Sequence, residues 1–181
     1  MVEGLRTLQQ HNIPHECLTT KTLLVECGPG GGELGVRVVD PLALPVHTNL
    51  DLVYHKRSLK HVYLSPSQCD MVREQNMYGR VKEPYKDDVF VGGVIMLECC
   101  SLERQDECYP EDSARVDFAQ VDRRVSRVEQ EYGPKLAQAL GWMLQRHPEN
   151  RPEWVKLASA IEKESAGMAM AHPLPALDLS S

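Results

Sequence analysis

The sequence predicts a mainly α-helical α+β domain that carries one small β-hairpin. Three observations predict it. The residues Val89-Phe90-Val91 and Val94-Ile95-Met96-Leu97 are apolar on every side of a helix, as a helix through the middle of a domain must be. Two short apolar runs, Leu23-Leu24-Val25-Glu26-Cys27 and Gly35-Val36-Arg37-Val38-Val39, flank the turn-forming Gly28-Pro29-Gly30-Gly31-Gly32. Elsewhere apolar residues recur at helix spacing behind prolines that suit a first helical position.

The elements follow in order along the chain. Residues 5 to 12 have the character of a helix end, and the hairpin comes next. From Asp40 to Val62, with prolines at 41 and 45 and little periodicity, the chain reads as an extended loop. Ser65-Pro66 signals a short helix running towards Gln75, with Ser as N-cap and Pro66 first. Asp87 or Asp88 is expected to cap the apolar central helix. Gly92 and Gly93 inside that helix cost about 1 kcal/mol each relative to alanine, which implies a neighbour packed closely there. Residues 103 to 115 are polar, with a turn at Tyr109-Pro110-Glu111-Asp112. Val121, Val125 and Val128 then form one helical stripe. Pro134 opens a helix bearing Leu136, Leu140, Met143 and Leu144. Pro152 opens the last, with Trp154, Leu157, Ala158 and Ile161 on one face. Trp142 and Trp154 are both expected in the core. The expected domain covers residues 1–163, and residues 164–181 read as a disordered tail of small residues and prolines.

Composition narrows the function. A chain of 181 residues is one ordinary domain with room for a core. Its formal charge of -6, with no Lys/Arg run, speaks against nucleic acid as a partner. No apolar run approaches the ~20 residues of a membrane span, and the N-terminus does not resemble a signal peptide. A cytoplasmic protein without a membrane partner is therefore expected. The six cysteines, Cys17, Cys27, Cys69, Cys99, Cys100 and Cys108, fall at no zinc-ribbon or CxxC spacing, so buried thiols are expected, Cys99 and Cys100 in the apolar helix among them. A metal site built from Cys27, His47, His61 or Cys69 ranks behind that reading. Gly30, Gly32 and Gly35 formally spell G-x-G-x-x-G, but a strand-like run follows them where a dinucleotide fingerprint needs a helix.

Three segments carry a resemblance. They are Tyr63-Leu64-Ser65-Pro66, Lys86-Asp87-Asp88-Val89-Phe90-Val91-Gly92-Gly93 and Asn150-Arg151-Pro152. In this order and spacing they look like the C-terminal lobe of a protein kinase, over roughly residues 5 to 163. The flanking Asn12-Ile13-Pro14-His15 and Leu23-Leu24-Val25 set the register of the catalytic loop. The family's loop reads His-Arg-Asp, then Leu, three variable positions and Asn. Here His15 and Leu18 keep their places, Glu16 replaces the Arg, Cys17 replaces the catalytic Asp, and Thr22 replaces the Asn. Asp40 holds the place of the metal-loop Asp as a vestigial magnesium position, and Pro41 replaces the Phe beside it. The hairpin thus carries the catalytic and metal-loop positions.

The resemblance implies a lobe without its chemistry. Phosphoryl transfer needs a carboxylate to orient the attacking hydroxyl. A thiol with a reference pKa of about 8.5 is no substitute for one. Glu16 would repel an activation-segment phosphate, where the family's Arg attracts it. Structural roles fare better: Asp88 takes the place of the buried Asp that anchors the catalytic-loop backbone, and Pro66 belongs to the Ala-Pro-Glu-like segment. Ser67 replaces that segment's Glu. Arg151, its usual partner, is then expected to find Asp70, Glu74 or water, or else to reach solvent. No glycine-rich strand, Ala-x-Lys strand or hinge precedes the loop, so an N-terminal lobe is expected to be missing. The surface facing it, around His15, Leu18, Leu24 and Leu42, is expected to bind a protein partner. The implied function is a catalytically inactive, pseudokinase-like scaffold with no cofactor. The alternative is a fragment of an ATP-dependent Ser/Thr kinase using Mg-ATP, with Asp40 in its favour. A thiol- or metal-dependent protein using Cys17 is a third possibility.

Overall fold

A computed structural model describes residues 1–16, 18–27, 34–39, 63–75, 83–110 and 114–171, apart from the side chains of Cys27, Leu34 and residues 164–171. Its elements are helix α1 (Val2–Gln10), strands β1 (Leu23–Cys27) and β2 (Leu34–Val38), and helices α2 (Pro66–Arg73), α3 (Pro84–Ser101), α4 (Phe118–Tyr132), α5 (Pro134–Met143) and α6 (Trp154–Ala171). Short 3-10 turns at Thr20–Thr22, Asp106–Cys108 and Pro148–Asn150 join them. Mainly helical, with one two-stranded antiparallel sheet, this is the α+β class the sequence pattern implies. None of the helices is long and apolar enough to cross a membrane among the described residues.

Helix α1 is amphipathic, with Leu5 buried, and it packs along α6, where Arg6 pairs with Glu162 at 3.1 Å. Its end is closed by Asn12 in the left-handed region at φ 58°. The amides of Asn12 and Ile13 return to the carbonyls of Gln9 and Leu8, at 3.0 and 2.9 Å. That is a Schellman cap, which asparagine tolerates well. The hairpin pairs Leu23 with Val38, Val25 with Val36 and Cys27 with Leu34. A hydrogen bond from the Val39 amide to the Thr22 carbonyl, 2.9 Å, extends it by one pair. Val38 rests on α1, within 3.1 Å of where a Cβ on Gly4 would sit.

Helix α3 is the rod around which the rest is built. Ten of its residues, from Asp87 to Leu97, are buried, which no surface helix shows. It starts earlier than expected, at Pro84, so neither Asp87 nor Asp88 is its cap. Both aspartates face inward from the first turns and serve other segments. Helix α2 starts where the sequence places it, with a reciprocal capping box between Ser65 and Gln68. Asp117 caps α4 through the amides of Ala119 and Gln120. Val121 and Val128 are buried in its stripe, and Val125 packs against the core less completely.

Some expectations do not hold. Trp154 is buried, but Trp142 is 43% exposed, because α5 turns Ala137, Leu140 and Met143 inward and position 142 lies away from that face. Ile161, expected on the inner face of the last helix, is also exposed. That helix opens at Trp154, behind the turn at Pro148–Asn150, and its backbone continues to Ala171, past the boundary drawn at 164. Residues 172–181 lie outside the described residues. Cys99 is exposed and Cys100 half-buried, whereas Cys69 and Cys108 are buried.

The glycine pair fits the close approach inferred for it. A Cβ on Gly92 would stand 2.8 Å from Trp154 Cη2, and one on Gly93 2.9 Å from Leu144 Cδ2. At Gly141, in α5, a Cβ meets nothing within 4 Å. Gly92→Ala and Gly93→Ala are each expected to lower stability by about 1–3 kcal/mol, overpacking outweighing the gain in helix propensity. Gly141→Ala should raise it by up to about 1 kcal/mol. Urea denaturation midpoints of the three variants check this ordering.

Candidate functional site

The segment from Asn12 to Thr22 runs from the end of α1 to the first strand and lies across the N-terminal half of α3. Its seat is the carboxylate of Asp88. Asp88 Oδ2 accepts the amide of His15 at 2.7 Å, and Oδ1 accepts that of Glu16 at 2.8 Å. Asp88 is 4% exposed. Burial pushes its carboxyl up to about 7, the two amide bonds oppose this, and the nearby Asp87 and Glu16 carboxylates add to it. His15 is buried at 1% exposure and Leu18 at 3%, so the segment presses side chains into the core while its backbone holds the carboxylate.

Thr22, at the place of a metal-binding Asn, is engaged locally. Its hydroxyl donates to the Thr19 carbonyl and accepts the Thr19 amide, both at 3.0 Å, within a capping box whose other half is the Thr19 hydroxyl. Cys17 and Asp40 lie outside the described residues. Among the described residues no group of three or more His, Cys, Asp or Glu side chains is arranged to hold a metal ion. Of the residues named for a metal site, Cys69 is a buried thiol, and the side chain of Cys27 and residues His47 and His61 fall outside what is described.

The carboxylate that Arg151 pairs with is neither Asp70 nor Glu74, and the arginine side chain does not reach solvent. Its guanidinium is buried, and Nη1 bonds Asp87 Oδ1 at 3.0 Å. Asp70 instead pairs with Arg73 on the exposed side of α2. Three further bonds from Arg151 go to main-chain carbonyls: Nε to Gln145 at 2.8 Å, Nη2 to Arg146 at 2.9 Å, and Nη1 also to Lys86 at 3.1 Å. Lys86 Nζ donates in return to the Arg151 carbonyl. The guanidinium carbon lies 4.9 Å from the centroid of the Phe90 ring. Ser67 donates to Asp87 as well, at 3.2 Å, which links the start of α2 to the same carboxylate. Burial raises the Asp87 carboxyl and lowers the Arg151 guanidinium from their ordinary values, while their mutual attraction works the other way in each.

A third tie was not anticipated. Tyr63 donates its hydroxyl to Glu98, near the end of α3, and accepts the amide of Gln105 at 3.0 Å. Its ring stacks on Tyr109, 5.8 Å between centroids, and the Tyr109 hydroxyl donates to the Leu64 carbonyl. Residues 63 to 65 are thereby fixed before α2 begins. The sequence signal for Asp87 was the Asp-Asp doublet, one carboxylate more than a single anchor requires. For Glu98, an acidic residue inside an apolar helix, the signal was its isolation.

On the hairpin, Leu24, Val25 and Val36 are 50%, 64% and 44% exposed. Val25 and Val36 pair across the strands and share a face, while Leu24 points to the other. His15 and Leu18, expected at an apolar surface with Leu24, are interior. Leu42 lies outside the described residues. Compared with models of protein families the chain matches none, and a search of curated proteins returns no match.

Removing one partner of the buried pair strands the other. Arg151→Met should cost about 3–5 kcal/mol, and Asp87→Asn combined with Arg151→Met should recover part of that loss. Equilibrium unfolding of the two single variants and the double variant measures the coupling. The thiols should separate in the same way. Burial pushes Cys69 up to about 12 and Cys108 to about 11, leaving almost no thiolate at pH 8. Brief alkylation followed by peptide mass mapping should therefore label Cys99 and leave Cys69 and Cys108 intact until denaturant is added.

Proposed function

We propose that the chain is a protein-kinase-like C-terminal lobe that has lost phosphoryl transfer and works as a protein-binding or scaffold module. The observation that supports this best is the pair of amides, His15 and Glu16, resting on Asp88. It is the backbone arrangement expected if residues 12 to 22 correspond to a catalytic loop anchored on the lobe's central helix. The buried Arg151 gives further support. With Ser67 in place of the family's Glu, the arginine takes its carboxylate from Asp87, and Ser67 joins the same cluster.

In that register the loss of chemistry follows from the substitutions. Cys17 stands where a carboxylate would orient the incoming hydroxyl, and its thiol supplies neither the charge nor the acceptor geometry. Thr22 spends its hydroxyl on Thr19. Asp40 is then one carboxylate for a task that takes two metal-binding side chains. What such a lobe keeps is its surface. Val25 and Val36, exposed and paired across the two strands, share one face of the hairpin, and this apolar pair supports a protein partner there. In this reading nucleotide, magnesium, nucleic acid and membrane are all absent from the partner set, and the protein is cytoplasmic.

Thermal melting with and without Mg-ATP tests the proposal, together with transfer of labelled phosphate to generic protein substrates. The expected result is no shift in Tm and no transfer above that of Asp40→Ala. A magnesium-dependent ATP shift, or phosphate transfer, that disappears in Asp40→Ala would overturn it and make the chain part of an ATP-dependent kinase.

A further inference from the structure

Four described residues other than glycine have a positive φ: Asn12 at 58°, Glu16 at 60°, Gln75 at 55° and Leu102 at 53°. Three of them sit just beyond the ends of α1, α2 and α3, where a left-handed residue is the ordinary way to close a last turn. Glu16 ends no helix. Its Cβ makes the left-handed region unfavourable, and its carboxylate adds like charge beside Asp88. What the conformation achieves is convergence. The successive amides of His15 and Glu16 reach the two oxygens of one carboxylate, as they would in an anion-binding nest. Here the anion is the protein's own side chain.

We propose that residues 13 to 16 form a loaded strap: a segment that opens as a unit without unfolding the helical core, latched by Asp88 and strained at Glu16. Opening withdraws His15 from the interior and bares the Asp88 carboxylate, while the contacts of Asp87 with Arg151 and Ser67, on another side of the helix start, stay in place. The strap goes beyond the kinase-lobe reading and does not depend on it.

Amide hydrogen exchange of the whole chain, followed by NMR at His15 and Glu16, tests the strap. In the unaltered protein both amides should exchange faster than the amides of Val91 to Ile95 in α3. Glu16→Gly, which removes the strain, should slow them about three- to ten-fold and leave the α3 amides unchanged. Glu16→Gln removes the charge, keeps the strain and should slow them less. Asp88→Asn, which cannot accept both amides, should speed them at least about ten-fold. Should Asp88→Asn fail to fold, the glycine variant decides alone. The strap is refuted if His15 and Glu16 exchange at the α3 rate, or if Glu16→Gly leaves their exchange unchanged or faster.

Discussion

Two adjacent buried carboxylates at the start of α3 organise this molecule. Successive residues on a helix point about 100° apart. Asp87 and Asp88 therefore address different neighbours from one turn of backbone. Asp88 holds the segment after α1, and Asp87 holds Arg151 ahead of α6 together with Ser67 at the start of α2. Segments from both ends of the chain meet on one turn. Burying two carboxylates beside a single guanidinium is costly, and hydrogen bonds offset part of that cost. Asp88 takes two main-chain amides, and Arg151 gives three hydrogen bonds to carbonyls.

The rest of α3 is apolar for a related reason. A helix surrounded by others has no solvent face, so polar groups survive on it only where they tie something down. Glu98 does this through Tyr63 near the other end. Gly92 and Gly93 mark where α5 and α6 come closest, with Trp154 and Leu144 filling the space a methyl group would need. Packing and anchoring are thus divided along the rod: charge at its ends, contact in its middle.

Much of this was legible in the sequence. The all-apolar rod, the hairpin and the Ser65-Pro66 helix start follow from periodicity and capping chemistry, signals that are local and strong. The close approach at the glycine pair was readable because two poor helix formers side by side need a reason. Less legible was anything that depends on direction in space. Sequence proximity to Ser67 points to Asp70 or Glu74 as the partner of Arg151, but the carboxylate sits on the neighbouring helix, where only the fold brings it within 3.0 Å. Trp142 and Trp154 look alike as letters in amphipathic stretches, and small differences in helix phase put one outside and one inside. The engagement of Thr22 with Thr19 was written in a Thr-x-x-Thr spacing, obscured by the role expected of Thr22 elsewhere.

The anchors at Asp87 and Asp88 also join residues far apart along the polypeptide, 64 positions between Asp87 and Arg151 and 73 between His15 and Asp88. Such closures come late in assembly, because chain entropy must be given up before they form. A polypeptide emerging from the ribosome exposes Asp87 long before Arg151 exists to neutralise it. Until that arginine has been made, the charged end of the apolar rod lacks the cation that neutralises it in the folded protein.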